Sequence, residues 1–138
     1  MHTITQFEDI EAWKTARELT IDTDDLCADR TRSICKRLWI EKSISCASVS
    51  VMSNIAEGFE SRTQAQFLEY LGRSKASAGE VRCQLYIALD LKYLSQEHFD
   101  PVFELADKSS RQIARFMDYL ETHPQSRRVR DEGSEYEV

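Results

Sequence analysis

An all-α fold, an antiparallel up-down-up-down four-helix bundle, is predicted from three observations. Only four glycines and two prolines occur in 138 residues, too few for a sheet-rich chain with many tight turns. Four segments repeat apolar residues in steps of three and four, the period of a helix with one buried side. Short polar stretches join them, which favours antiparallel neighbours. With 41% hydrophobic and 30% charged residues, one soluble domain over residues 1–121 is expected, followed by a flexible polar tail over 122–138.

The first helix is expected from about Glu8 to Cys27, with Phe7, Ile10, Trp13, Ala16, Leu19 and Leu26 near one face. Glu8, Asp9 and Glu11 suit the positive end of its dipole. A polar connection over roughly Ala28–Ser33 leads to a second helix from about Ile34 to Glu57. There Ile40, Ile44, Ala47, Val51 and Ile55 mark the buried stripe, and Gly58 is expected to end the helix in the left-handed conformation. Trp39, Val49 and Met52 lie off that stripe, so this helix should bury a second side against another partner.

Thr63-Gln64-Ala65-Gln66 fits a capping box at the start of the third helix. Phe67, Leu71, Ser74, Ala78, Val81, Leu85 and Ala88 follow as a heptad-like seam. Beside it run Gly72, Ala76 and Gly79. Glycine inside a helix costs about 1 kcal/mol relative to Ala. Close approach of another helix is the first explanation for them, and a site needing space the second. The fourth helix spans about Ser95 to Glu121 along Phe99, Phe103, Ala106, Ser110, Ile113, Met117 and Leu120. Ser95 is one candidate cap; Asp100, with Pro101 at the first helical position, is the other.

The net charge of −6 excludes a globally basic nucleic-acid binder, but the charge is uneven. Residues 1–29 carry two bases against eight acids, while residues 30–60 and 61–95 each carry five bases against three. Pairing of acidic with basic helices accounts for this pattern, with a dedicated anion-binding face as the alternative. Arg30, Arg32, Lys36, Arg37 and Lys42 are the candidate nucleic-acid contacts, supplemented by Arg62, Arg73, Lys75 and Arg82. Their competing role is to neutralise Asp22, Asp24, Asp25 and Asp29.

Catalytic and metal-binding patterns are missing. The three histidines, His2, His98 and His123, never follow a Glu by three residues, so a di-iron bundle site is excluded. There is no phosphate-cradling glycine loop, nucleophile elbow or zinc-protease helix. Residues 63–85 lack the internal turn of a helix-turn-helix. Cys27, Cys35, Cys46 and Cys83 have no C-x-x-C spacing and are expected to be reduced thiols in the cytoplasm. No catalytic residue, cofactor, metal ligand or membrane-spanning segment is assigned.

The run Ser53-Asn54-Ile55-Ala56-Glu57-Gly58, with Phe7-x-x-Ile10-x-x-Trp13-x-x-Ala16 upstream, resembles the family of 23S rRNA intervening-sequence proteins. That family includes the accessory variability proteins of diversity-generating retroelements. Phe67, Leu71, Ser77, Glu80, Gln84 and Leu85 extend the likeness. The resemblance implies a four-helix bundle assembled into a ring-like homopentamer without enzymatic activity. Retroelement members are basic and bind a reverse transcriptase and nucleic acid. Here Ser45 and Cys46 replace a frequent Arg-Arg pair, Arg73 a usual aliphatic residue and Ala76 a usual Gly.

The expected function is therefore a non-enzymatic oligomeric scaffold or adaptor for a protein or ribonucleoprotein partner; direct RNA or DNA binding is the alternative. Trp39, Val49, Met52, Gly72, Ala76 and Gly79 are the candidate subunit-interface residues. Asn54, Glu57, Gly58, Arg62, Glu80 and Gln84 form a candidate network, read either as a recognition site or as partly buried carboxylates held by Arg62 and Asn54.

Overall fold

The computed structural model describes residues 3–28, 38–123 and 136–137. Strand β1 (Thr3–Ile4) and a 3-10 turn (Phe7–Asp9) lead into α1 (Glu11–Ala28), α2 (Leu38–Glu60), α3 (Gln64–Asp90) and α4 (Gln96–Thr122). Strand β2 (Tyr136–Glu137) pairs antiparallel with β1, setting Thr3 opposite Glu137 and Ile4 opposite Tyr136. Two-residue strands have no readable period, which is why no strand was expected.

Contacts between helices establish the bundle. Ser74 of α3 meets Val51 of α2, while the earlier Phe67 and Tyr70 meet the later Gly58. Gln64 Nε2 donates to the carbonyl of Leu120, and Arg82 reaches back to Asp107, so α3 and α4 are also antiparallel. The start of α1 shares one cavity with Gln112–Tyr119 of α4 and the following turns share a groove with Lys108. Around the ring each helix therefore opposes its neighbour. The predicted stripes of α2 and α3 are buried without exception.

Two helix ends depart from expectation. The first helix does not run from Glu8: Ile10 is extended, and its carbonyl accepts from Trp13 and Lys14. This break drops Ile10 into the core and turns the Phe7 ring edge-on to Trp13 at 5.2 Å. Gly58 does not stop α2, which continues to Glu60 with Gly58 inside it. A Cβ on Gly58 would sit 2.8 Å from Phe67 Cδ1 and 2.8 Å from Tyr70 Cβ. The glycine thus admits the third helix rather than ending the second. At the far end of α3 the left-handed position falls to Lys92, at φ 61°. There the Tyr93 amide closes onto the Ala88 carbonyl at 2.8 Å, the wrap that ends a helix through a left-handed residue.

The other boundaries settle as caps. Thr63 and Gln66 form the reciprocal capping box. Ser95 caps α4 by accepting from the His98 amide, leaving Pro101 inside the helix, near its start. On α4 the buried face includes Val102, Ser109 and Phe116, while Phe103 and Met117 are only partly covered.

Candidate functional site

The six residues of the candidate network are not brought together as buried ion pairs. Glu57, Arg62 and Glu80 are all exposed. Asn54 is half-buried and donates its amide within its own helix, to the Ser50 carbonyl at 2.8 Å and Ser50 Oγ at 2.9 Å. Glu80 accepts from Gln84 Nε2 at 3.1 Å, also within one helix. The reading of Glu57 and Glu80 as partly buried carboxylates held by Arg62 and Asn54 is therefore corrected. Helical spacing lets Asn54 and Gln84 find partners four residues away, which leaves nothing to hold a carboxylate across the bundle.

The polar contacts that do cross between α2 and α3 were not singled out from the sequence. Ser50 and Ser77 share a hydroxyl hydrogen bond of 2.9 Å, and Ser74 Oγ donates to the Val51 carbonyl at 2.6 Å. Small hydroxyl residues facing each other on neighbouring stripes were the available signal. Among the described residues the side-chain partners of this pair are each other and the Asn54 amide, with no histidine or carboxylate bonded to either hydroxyl. Among the described residues no group of three or more His, Cys, Asp or Glu is placed to hold a metal ion.

The outer surface has two distinct non-polar features. On α2, Leu38 is 60% exposed, Trp39 54% and Val49 48%. Met52 is half-buried instead, receiving the Thr20 hydroxyl from α1. On α3, Gly72, Ala76 and Gly79 form a shallow strip. A Cβ on Gly72 would meet nothing nearer than Met117 Cε at 4.0 Å; one on Gly79 would meet Arg82 Nη2 of its own helix at 3.6 Å. Among the described residues nothing approaches this strip as closely as Phe67 and Tyr70 approach Gly58. Tyr86, also exposed, continues past it and packs against Phe99 and Phe103 at 5.3 and 5.2 Å.

The basic candidates that the structure describes lie on α2, on α3 and in the turn between them. Arg30, Arg32, Lys36 and Arg37 lie outside the described residues, as does Cys35. Lys42, Arg62 and Lys75 are exposed. Arg73 pairs with Glu69 at 2.8 Å and lies over the Tyr70 ring, while Arg82 pairs with Asp107 at 3.4 Å. Two of the cations are thus already engaged by acids of the same chain. On α1, burial and the neighbouring Asp25 and Glu18 push the Asp22 carboxyl above its ordinary range. Cys27 is buried, and Cys46 and Cys83 are exposed free thiols. No helix among the described residues is long and apolar enough to cross a membrane.

Comparison with known proteins gives the same architecture. A crystal structure of a protein with unknown function from the S23 ribosomal protein family of Bacteroides thetaiotaomicron VPI-5482 superposes with a TM-score of 0.70. The alignment covers 77% of this chain and 97% of that one at 15% identity, a likeness of fold. No curated protein matches the sequence. Residues 8–115 match the family described as 23S rRNA-intervening sequence protein, and they span the bundle from its entry turn to the last turns of α4. The chain therefore belongs to the 23S rRNA-intervening sequence protein family.

Proposed function

We propose that the protein is a non-enzymatic scaffold that self-associates as a closed ring, with α2 of one subunit set against α3 of the next. The observation that carries this reading is the pair of unlike surfaces: bulky Trp39 and Val49 on α2, and the recessed Gly72–Ala76–Gly79 strip on α3. A ring needs a heterologous contact, in which one patch meets a different one on the neighbour. A protruding indole and a strip without side chains are complementary in that sense. The interior glycines cost helix stability, and among the described residues no close packing like that at Gly58 offsets it. The ring would then present its remaining polar surface to a protein or ribonucleoprotein partner.

Absolute mass by light scattering tests the reading. The intact chain should give about five times the 16.0 kDa subunit mass, unchanged by added RNA at low salt. Trp39→Asp should reduce the mass while leaving helical circular dichroism intact, because the side chain is exposed within the subunit. A monomeric wild-type protein overturns the proposal. A mass that rises with RNA and falls back with salt favours nucleic-acid binding instead.

A further inference from the structure

The break at Ile10 leaves a gap that the bundle does not fill. Where the 3-10 turn gives way to α1, a cavity of about 470 Å³ opens against α4. Its size falls within the range of about 300–1,000 Å³ typical of small-molecule sites. On α4 the lining residues Gln112, Arg115, Phe116 and Tyr119 recur at helical spacing, so one face of that helix forms a wall. Ile10 and Ala12 supply apolar surface opposite, and Phe116 and Tyr119 add two rings.

The charged groups at this cavity are opposite in sign and do not neutralise each other. Asp9 and Arg115 both line it, yet neither makes an ion pair among the described residues. The Asp9 carboxylate accepts a long hydrogen bond of 3.4 Å from Gln6 Nε2. The other lining carboxylate, Glu11, is already paired with Lys14 at 3.1 Å. One free acid and one free base therefore remain beside an apolar floor. Gln112 adds an acceptor, because its Oε1 is buried with no hydrogen-bond partner among the described residues. Buried acceptors rarely go without a donor.

We propose that this cavity binds a small zwitterion with an apolar body, of the class of the aromatic and branched α-amino acids. The ammonium is taken by Asp9 and the Gln112 amide oxygen, the carboxylate by Arg115, and the side chain by Ile10, Ala12 and Phe116. Charge complementarity selects this class. A purely cationic ligand leaves Arg115 unanswered, and a purely anionic one leaves Asp9 so. A guanidinium also matches a carboxylate with two parallel hydrogen bonds. The site is built from the entry turn, α1 and α4, and uses none of the α2 and α3 residues assigned to self-association. It stands whatever the subunit count.

Titration of the full-length chain with L-phenylalanine and L-leucine, read by ¹⁵N amide spectra, tests the proposal. At least one of them should shift the Ile10, Ala12 and Phe116 amides saturably, with a midpoint at or below about 1 mM. Phenylalaninamide lacks the carboxylate and hydrocinnamate lacks the ammonium, and each should need at least about tenfold more. Asp9→Asn and Arg115→Gln should each weaken amino-acid binding about tenfold or more, with helical circular dichroism unchanged. Arg115→Gln should leave the weak phenylalaninamide response where it was, which a general loss of structure does not do. No saturable shift with either amino acid would overturn the proposal. So would equal midpoints for the zwitterion and its singly charged analogues, binding unchanged in both variants, or shifts confined to other surfaces.

Discussion

The α2–α3 contact and the α1–α4 contact hold the same bundle by opposite means. Between α2 and α3 the helices meet through residues with almost no side chain: Gly58 under Phe67 and Tyr70, Ser74 on the Val51 carbonyl, Ser50 on Ser77. Between α1 and α4, larger side chains flank a cavity of about 470 Å³. Where a buried ring and a Cβ already fill the space over a glycine, geometry is set by atoms with little room to move aside. Where side chains bridge a gap, the fold has room for adjustment.

Three substitutions break or sharpen that contrast. Gly58→Ala should have the largest effect, a loss of about 2 kcal/mol in denaturant unfolding, because the new methyl overlaps the buried Phe67 ring and the Tyr70 Cβ. Its better helix propensity recovers only part of the overlap. Ala12→Val adds carbon to a buried residue that lines the cavity, so its loss in denaturant unfolding should be about 1 kcal/mol or less, clearly below that of Gly58→Ala. Similar losses at the two positions would erase the distinction between a tight and a yielding contact.

The third change adjusts charge without altering packing. The Asp22 carboxyl is raised by desolvation first and then by Asp25 and Glu18, so its ionised form opposes folding. A raised carboxyl holds its proton more tightly in the folded state. Stability is therefore lost as pH rises from the ordinary carboxylate value through the folded one. Asp22→Asn should unfold later than wild type at neutral pH, with the advantage shrinking on acidification toward about pH 4 and absent below it. Urea midpoints at several pH values check this, and a pH-independent advantage would show that the acidic cluster is not its cause.

Legibility in the sequence follows the same division. The α2 and α3 stripes were readable because Ile40 through Ile55 and Phe67 through Ala88 keep a strict period against close neighbours. On α4, Phe103 and Met117 were assigned to the core in place of Val102 and Phe116. That helix carries apolar residues on adjacent faces, and periodicity alone does not fix which face turns inward. The interruption at Ile10 was hidden because an apolar residue fits either a helix or an extended step. Gly58 was legible as special, but a turn and a close approach call for the same residue. The buried-carboxylate reading of the network failed for a different reason: residue identity says that Asn54 needs a partner, and only the rotamer says that it is Ser50. The Trp39 and Gly72–Ala76–Gly79 surfaces were readable as departures from the stripes.

The near-contact at Gly58 and the serine bonds at Ser74 and Ser77 fasten α2 to the first half of α3, between Phe67 and Ser77. Two rods fastened over this stretch resist sliding and splaying there. The outward sides of the two helices consequently move as one stiff plate. A molecule that settles on either side meets a surface already in its final shape, and little ordering remains to be done when it binds.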